Sequence, residues 1–149
     1  MKLYVAYGSN LNIEQMAHRC SDAQIVGSGA IPGYALKYRG SKTGAYATIV
    51  PKRDSRVPVV VWKISPNDER ALDVYEGFPR FYYKKRMHVY LDGYRKGIYA
   101  MAYVMNDRAE PGIPSNYYIS TIMMGYQENG LDIEVLYKSL EDNERECGL

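Results

Sequence analysis

A mixed α+β fold, in the form of a small, mostly antiparallel β-barrel with helices packed outside, is predicted by three features of this sequence. Short apolar stretches with strand-like alternation recur along most of the chain. A few capped helical segments are interspersed among them. Neither an internal repeat nor a linker interrupts the 149 residues, which suit a single domain over 1–149.

The first element, from Lys2 to Tyr7, reads as a strand in which Leu3, Val5 and Tyr7 alternate with Tyr4 and Ala6. Both sets are apolar or aromatic, so both faces are expected to be buried. Gly8 then breaks the strand, and Ser9 and Asn10 are short polar residues suited to a turn. Asn12, with Gln15 three residues on, is an N-cap for a helix whose apolar face holds Ile13, Met16, Ala17 and Cys20. A turn between a buried strand and a helix start leaves backbone N–H groups free to hold a carboxylate or a developing oxyanion. No G-x-x-x-x-G-K-[ST] pattern is present, and Ser9 lacks the flanking glycines of a nucleophile elbow.

Gln24 to Val26 and Tyr34 to Tyr38 read as short strands on either side of a glycine-rich turn. Gly27 to Gly33 matches G-x-G-x-x-G, but strand-like sequence follows it and Pro32 is poorly placed to open a helix, so a dinucleotide site is not expected. Arg39 to Gly44 is turn-rich, Ala45 to Val50 alternates as a strand, Pro51 to Arg56 turns, and Val57 to Ile64 is a β-branched strand carrying Trp62.

Ser65, Pro66 and Asp68 then mark the clearest helix start in the chain, a capping box with proline at the first helical position. Gly77 stops that helix and leaves Glu76 at its last turn. A carboxylate there faces the negative end of the helix dipole, and Tyr75, Phe78, Phe81 and Tyr82 can strip water from it. Both effects raise its pKa towards the range of a general acid/base, with Arg80 placed to oppose them. The plainer reading of Glu76 is a solvated glutamate ahead of a capping glycine.

Phe81 to Leu91 and Ile98 to Met105 read as a hairpin around the loop Asp92 to Gly97. Glu110 to Ser115 is a loop, and Ser115 caps a helix with Ile119, Ile122, Met123 and Tyr126 on one face, which Gly130 ends. A final helix from Asp132 buries Val135, Leu136 and Leu140, and Glu141 to Glu146 is expected to fray as a charged tail.

Composition narrows the function. A net charge of +2 gives little pull towards nucleic acid or an acidic membrane, although the basic and aromatic residues interleaved from Tyr82 to Tyr90 keep a single-strand binder as a minor alternative. Sixteen tyrosines against two phenylalanines and one tryptophan favour walls that are apolar yet able to hydrogen-bond. Cys20 and Cys147 are far apart and form no metal-ligand pattern with His18 and His88, so free thiols and no metal are expected. With no signal region and no apolar run of membrane-spanning length, a cytoplasmic location is the default.

Several of these stretches together resemble the γ-glutamylcyclotransferase family, with its fold relatives among the butirosin-pathway and AIG2-like proteins. They are Leu3 to Leu11, Ala47-Thr48-Ile49, Val60-Val61-Trp62-Lys63, Leu72-Asp73 with Glu76-Gly77, Pro114-Ser115 with Tyr118, and Glu128 to Leu131. The resemblance implies that Tyr4, Val5, Ala6, Tyr7, Gly8, Ser9 and Asn10 bind substrate, that Glu76 is the catalytic acid/base, and that Tyr118 lines the pocket. Through Asn10 the resemblance also implies a chain nearer the γ-glutamyl amino acid branch than the glutathione-specific one. The implied reaction is intramolecular: the α-amine of a γ-glutamyl compound attacks its own γ-carbonyl, closing 5-oxoproline and releasing an amine, with no protein nucleophile, metal or cofactor. The implied partner is a small γ-glutamyl molecule, with no nucleic acid and no membrane, and a homodimer stays open. Two other classes stay open, a non-catalytic binder of an amino-acid-like ligand and the single-strand binder, and within the enzyme class γ-glutamylamines or an acylated carrier can replace γ-glutamyl amino acids.

Overall fold

The computed structural model describes residues 1–41, 44–106 and 108–149. Its centre is a five-stranded barrel built from β1 (Lys2–Ala6), β2 (Gln24–Ser41), β3 (Gly44–Ile64), β4 (Tyr82–Leu91) and β5 (Ile98–Met105). The strands run in the order β3-β1-β5-β4-β2, and pairing of β2 with β3 closes the ring. All neighbours are antiparallel except β1 and β5, which are parallel with Tyr4 opposite Met101. A two-residue strand, β6 (Glu110–Pro111), adds to the outer end of β2.

Closure explains where the chain departs from the local signals. β2 and β3 are continuous strands of 18 and 21 residues, so Gly27 to Gly33, Arg39 to Ser41 and Pro51 to Arg56 are strand and not turns. The Lys42 and Thr43 part of the expected Arg39 to Gly44 turn lies outside the described residues. Register shifts between Ile25 and Gly27 and between Pro32 and Tyr34 bend the long hairpin, and Asp54 takes a positive φ of 61° within it. Such irregularities let one strand turn a barrel corner. Glycine is needed at Gly29 because β4 crosses there: a Cβ would stand 2.1 Å from the Tyr90 carbonyl oxygen. The run expected as a glycine-rich turn is thus part of a continuous strand, with Gly29 serving its packing against β4.

β1 is buried from Tyr4 to Ala6, and Tyr7 beyond it is buried too. Its partners in β3, Val60, Val61, Trp62 and Ile64, are also buried. Each such apolar side chain removed from water contributes roughly 1.5–3 kcal/mol. Among the described residues four helices pack outside: α1 (Ile13–Arg19), α2 (Pro66–Glu76), α3 (Asn116–Glu128) and α4 (Ile133–Glu146). α2 starts with the expected capping box, Ser65 Oγ accepting from the Asp68 amide and Asp68 Oδ2 from the Ser65 amide. On α1 only Met16 and the following Cys20 are buried; Ile13 and Ala17 face outward, because the helix touches its neighbours along a narrower stripe than its apolar residues suggest.

α3 is anchored to the turn after β1. Asn129 Nδ2 donates to the Leu11 carbonyl at 2.8 Å, and Asn12 Nδ2 donates to the Thr121 carbonyl at 3.2 Å. α4 lies on β2 and continues through Glu141 to Glu146, where a frayed tail was expected. Contacts that hold that end include the pairs of Glu146 with Lys37 and Lys138 with Asp142, and the bond that buried Asn143 donates to the Gly112 carbonyl. Among the described residues no helix is long and apolar enough to cross a membrane. Cys20 and Cys147 are both free thiols, and burial pushes that of Cys20 up to about 12.

Candidate active site

β1 leads directly into a 3-10 turn, Ser9–Leu11, closed by bonds from the Leu11 amide to the Gly8 carbonyl and from the Asn12 amide to the Ser9 carbonyl. In such a turn the earliest N–H groups have no carbonyl behind them. Among the described residues no acceptor is found for the amides of Gly8, Ser9 and Asn10. Gly8 sits where two walls meet: a Cβ there would lie 3.2 Å from the Ala47 Cβ and 3.4 Å from the Tyr118 hydroxyl oxygen.

The turn opens into a cavity of about 350 Å³. Glu76 also lines it, as the last residue of α2, with Gly77 in the left-handed conformation behind it (φ 64°). Tyr4, Tyr7, Tyr82 and Tyr103 form its buried wall, and Tyr118 reaches in from α3. The Tyr118 hydroxyl accepts from the Ala47 amide at 2.9 Å, while Tyr82 donates to the Ala47 carbonyl at 2.6 Å. Tyr7 donates to the Tyr103 carbonyl at 2.6 Å, and Tyr103 donates to Asp73 Oδ1 on α2, also at 2.6 Å. Burial raises the pKa of all five phenols, so each stays protonated near neutral pH.

Glu76 is half-buried and, among the described residues, makes no hydrogen bond or ion pair. Its carboxyl pKa is pushed up to about 7, chiefly by removal of water, against an opposing pull from Arg19. Its place at a helix C-terminus acts in the same upward direction as desolvation. A carboxyl balanced near neutrality inside a cavity can both take and return a proton.

Of the residues singled out from sequence, Tyr4, Tyr7, Gly8, Ser9, Asn10, Glu76 and Tyr118 come together around this cavity. Val5 and Ala6 do not line it; they are buried in β1 beside β3. Phe78 is also absent from the lining and instead has the Lys84 ammonium 4.3 Å from its ring centroid. The cation acting on Glu76 is Arg19, where Arg80 was expected; Arg80 is exposed on the loop beyond Gly77.

Arg19 reaches the site from the end of α1. Its guanidinium donates to Asn10 Oδ1 and lies over the Tyr75 ring, and the Tyr75 hydroxyl is 3.1 Å from Ser9 Oγ. Buried Asn10 also donates to the Tyr4 hydroxyl at 2.9 Å, and its carbonyl accepts from the Trp62 indole at 3.2 Å. Asn10 is thus the hub that fixes the turn. Sequence reasoning also missed Tyr46 and Tyr103, which come from β3 and β5. Period-two alternation in those strands points to one face or the other, but only barrel closure turns that face towards Glu76.

Comparison with known proteins points the same way. The family described as "Gamma-glutamyl cyclotransferase, AIG2-like" matches residues 4–120. A human protein named gamma-glutamylcyclotransferase is 32% identical over 156 residues, covering 95% of this chain and 80% of its own length. The mouse protein of the same name is 30% identical with the same coverage. A solved structure named "Gamma-glutamyl cyclotransferase" superposes with a TM-score of 0.80 at 30% identity, covering 93% of this chain and 85% of the other.

Proposed function

The chain belongs to the gamma-glutamyl cyclotransferase, AIG2-like family and is a cyclotransferase, and from that premise we propose that it cyclises a γ-glutamyl amino acid or amine to 5-oxoproline, with Glu76 as the single acid/base. The observation that carries this reading is one cavity in which a half-buried carboxyl with a pKa of about 7 faces a turn with free backbone amides.

In this mechanism the substrate's α-ammonium gives a proton to the Glu76 carboxylate. The freed amine attacks the γ-carbonyl carbon, the ring C–N bond forms, and the carbonyl electron pair moves onto oxygen. Collapse of that tetrahedral oxyanion breaks the bond to the leaving nitrogen, which takes the first proton from Glu76, and the second proton of the ring nitrogen follows through the same carboxylate to the released amine, leaving a neutral lactam and an ammonium. Atoms balance without water entering. Holding the glutamyl chain curled is the largest contribution, since a well-aligned intramolecular reaction gains roughly 7–11 kcal/mol. Amides of Gly8 and Ser9 hold the substrate carboxylate or the oxyanion; in the second role each is worth about 3 kcal/mol. Tyr118 closes the pocket against the substrate through its hydroxyl.

The test is mass spectrometry of purified protein incubated with γ-glutamyl amino acids, γ-glutamylamines and glutathione, beside Glu76→Gln. We expect 5-oxoproline and a free amine from wild type, and turnover at least about 100-fold lower in the variant. Near-full activity of Glu76→Gln would remove Glu76 from the mechanism. Tight ligand binding with no 5-oxoproline would instead support a binding module.

A further inference from the structure

The cavity has two unlike halves. Deep inside, Tyr4, Tyr7, Tyr82 and Tyr103 are each at most 6% exposed, and their hydroxyls are directed into fixed hydrogen bonds. At the mouth, Tyr46, Tyr75 and Phe81 are 43%, 43% and 41% exposed, and Val74 beside them is 85% exposed. Single exposed apolar residues are ordinary on a protein surface, but four that border one cavity make a patch continuous with it.

The rings at the mouth are held in a definite arrangement. Tyr46 stands edge-on to Phe81 at 5.9 Å and edge-on to Tyr118 at 5.3 Å, with interplanar angles of 83° and 88°. Perpendicular rings leave a slot in which a further flat group can meet one face and one edge, the arrangements aromatic pairs prefer. Charge is nearly absent. Among the described residues that line the cavity Glu76 is the only charged side chain, and Arg19 is taken up behind Tyr75 by its stacking and its bond to Asn10.

The γ-carbonyl joins the two halves of the substrate. With the glutamyl half curled inside, the leaving amine has to point towards the mouth. Beyond the α-carboxylate that any γ-glutamyl amino acid carries on this half, a charged side chain there would lose water and gain no partner among these residues, whereas an apolar one would cover rings that otherwise face solvent. We propose that the substrates of this protein are γ-glutamyl compounds whose amine half carries an apolar and preferably aromatic group, received by Tyr46, Tyr75 and Phe81. This inference rests on the γ-glutamyl reading above.

The experiment compares kcat/KM for γ-glutamylphenylalanine, γ-glutamylalanine and γ-glutamylglutamate on wild type, Phe81→Ala and Tyr46→Ala. In wild type the phenylalanine compound should exceed each of the others at least fivefold, and the phenylalanine-to-alanine ratio should fall at least threefold in one or both variants. A wild-type advantage below fivefold, or a ratio that both variants retain, overturns the inference while turnover of any of the three upholds the γ-glutamyl reading. If none of the three yields 5-oxoproline, both fall. Should the variants fail to fold, the wild-type series alone decides by the same fivefold threshold.

Discussion

The Arg19 guanidinium carbon lies 3.5 Å from the centroid of the Tyr75 ring, so a cation from α1 rests on the residue that immediately precedes Glu76. It is this charge that keeps the buried carboxyl from rising further. Arg19→Met should therefore raise the Glu76 pKa and move the acid limb of the kcat/KM profile to higher pH. At pH 6, activity relative to the profile maximum should drop at least about twofold, because less Glu76 is in the base form. An acid limb that stays in place would disconnect the two groups.

The same carboxyl makes stability depend on pH. Its folded-state pKa of about 7 lies above the ordinary value of 4.5, so the folded protein binds more protons than the unfolded chain between those limits. The stabilising contribution is complete below the unfolded value and is lost as pH rises through the folded one. Glu76→Gln has no charge to bury. It should be more stable than wild type at pH 8 by on the order of 1–3 kcal/mol, with the difference vanishing near pH 4. Urea unfolding at both pH values reads this directly; a variant no more stable at pH 8 would mean that Glu76 is well solvated.

Tyr118→Phe removes the acceptor for the Ala47 amide, which lies on a buried stretch of β3. The unpaired amide should cost about 1–3 kcal/mol in thermal or chemical unfolding. If the hydroxyl also closes the pocket on substrate, KM or kcat changes with it; wild-type kinetics in a destabilised Tyr118→Phe would confine Tyr118 to structure.

Asn10→Ala frees Arg19 and leaves the Tyr4 hydroxyl without its donor at a site only 3% exposed. Stability should fall by about 2 kcal/mol or more. Activity should fall further than folding alone accounts for, since the turn bearing the free amides loses its hub. Kinetics at a temperature where the variant is fully folded separate the two losses.

What the sequence made legible was local. Ser65, Pro66, Asp68 and Gly77 bracket α2 because caps are written within a few residues of the helix end they serve, and that bracket alone put Glu76 at a C-terminus. Gly27 to Gly33 was misread for the complementary reason: glycines that mark a turn when judged locally lie here in a continuous strand, where Gly29 allows β4 to cross β2. Arg19 carried no signal at all. Its pairing with Asn10 spans the length of α1, and its approach to Glu76 depends on how α1 meets α2. Tyr103 likewise enters the site only through the parallel pairing of β1 and β5.

That parallel pairing has a temporal consequence. β1 and the turn after it are made before their partners, residues 60–64 on one side and Met101 on the other. The long hairpin of β2 and β3 is local and can zip up from its own tip, whereas contacts of high sequence separation form slowly. The segment that holds the free amides therefore lacks one of its two neighbouring strands until Met101 has been made. Substitutions that weaken the β1 edge should for that reason lower the yield of soluble protein during synthesis more than they lower the stability of molecules that have already folded.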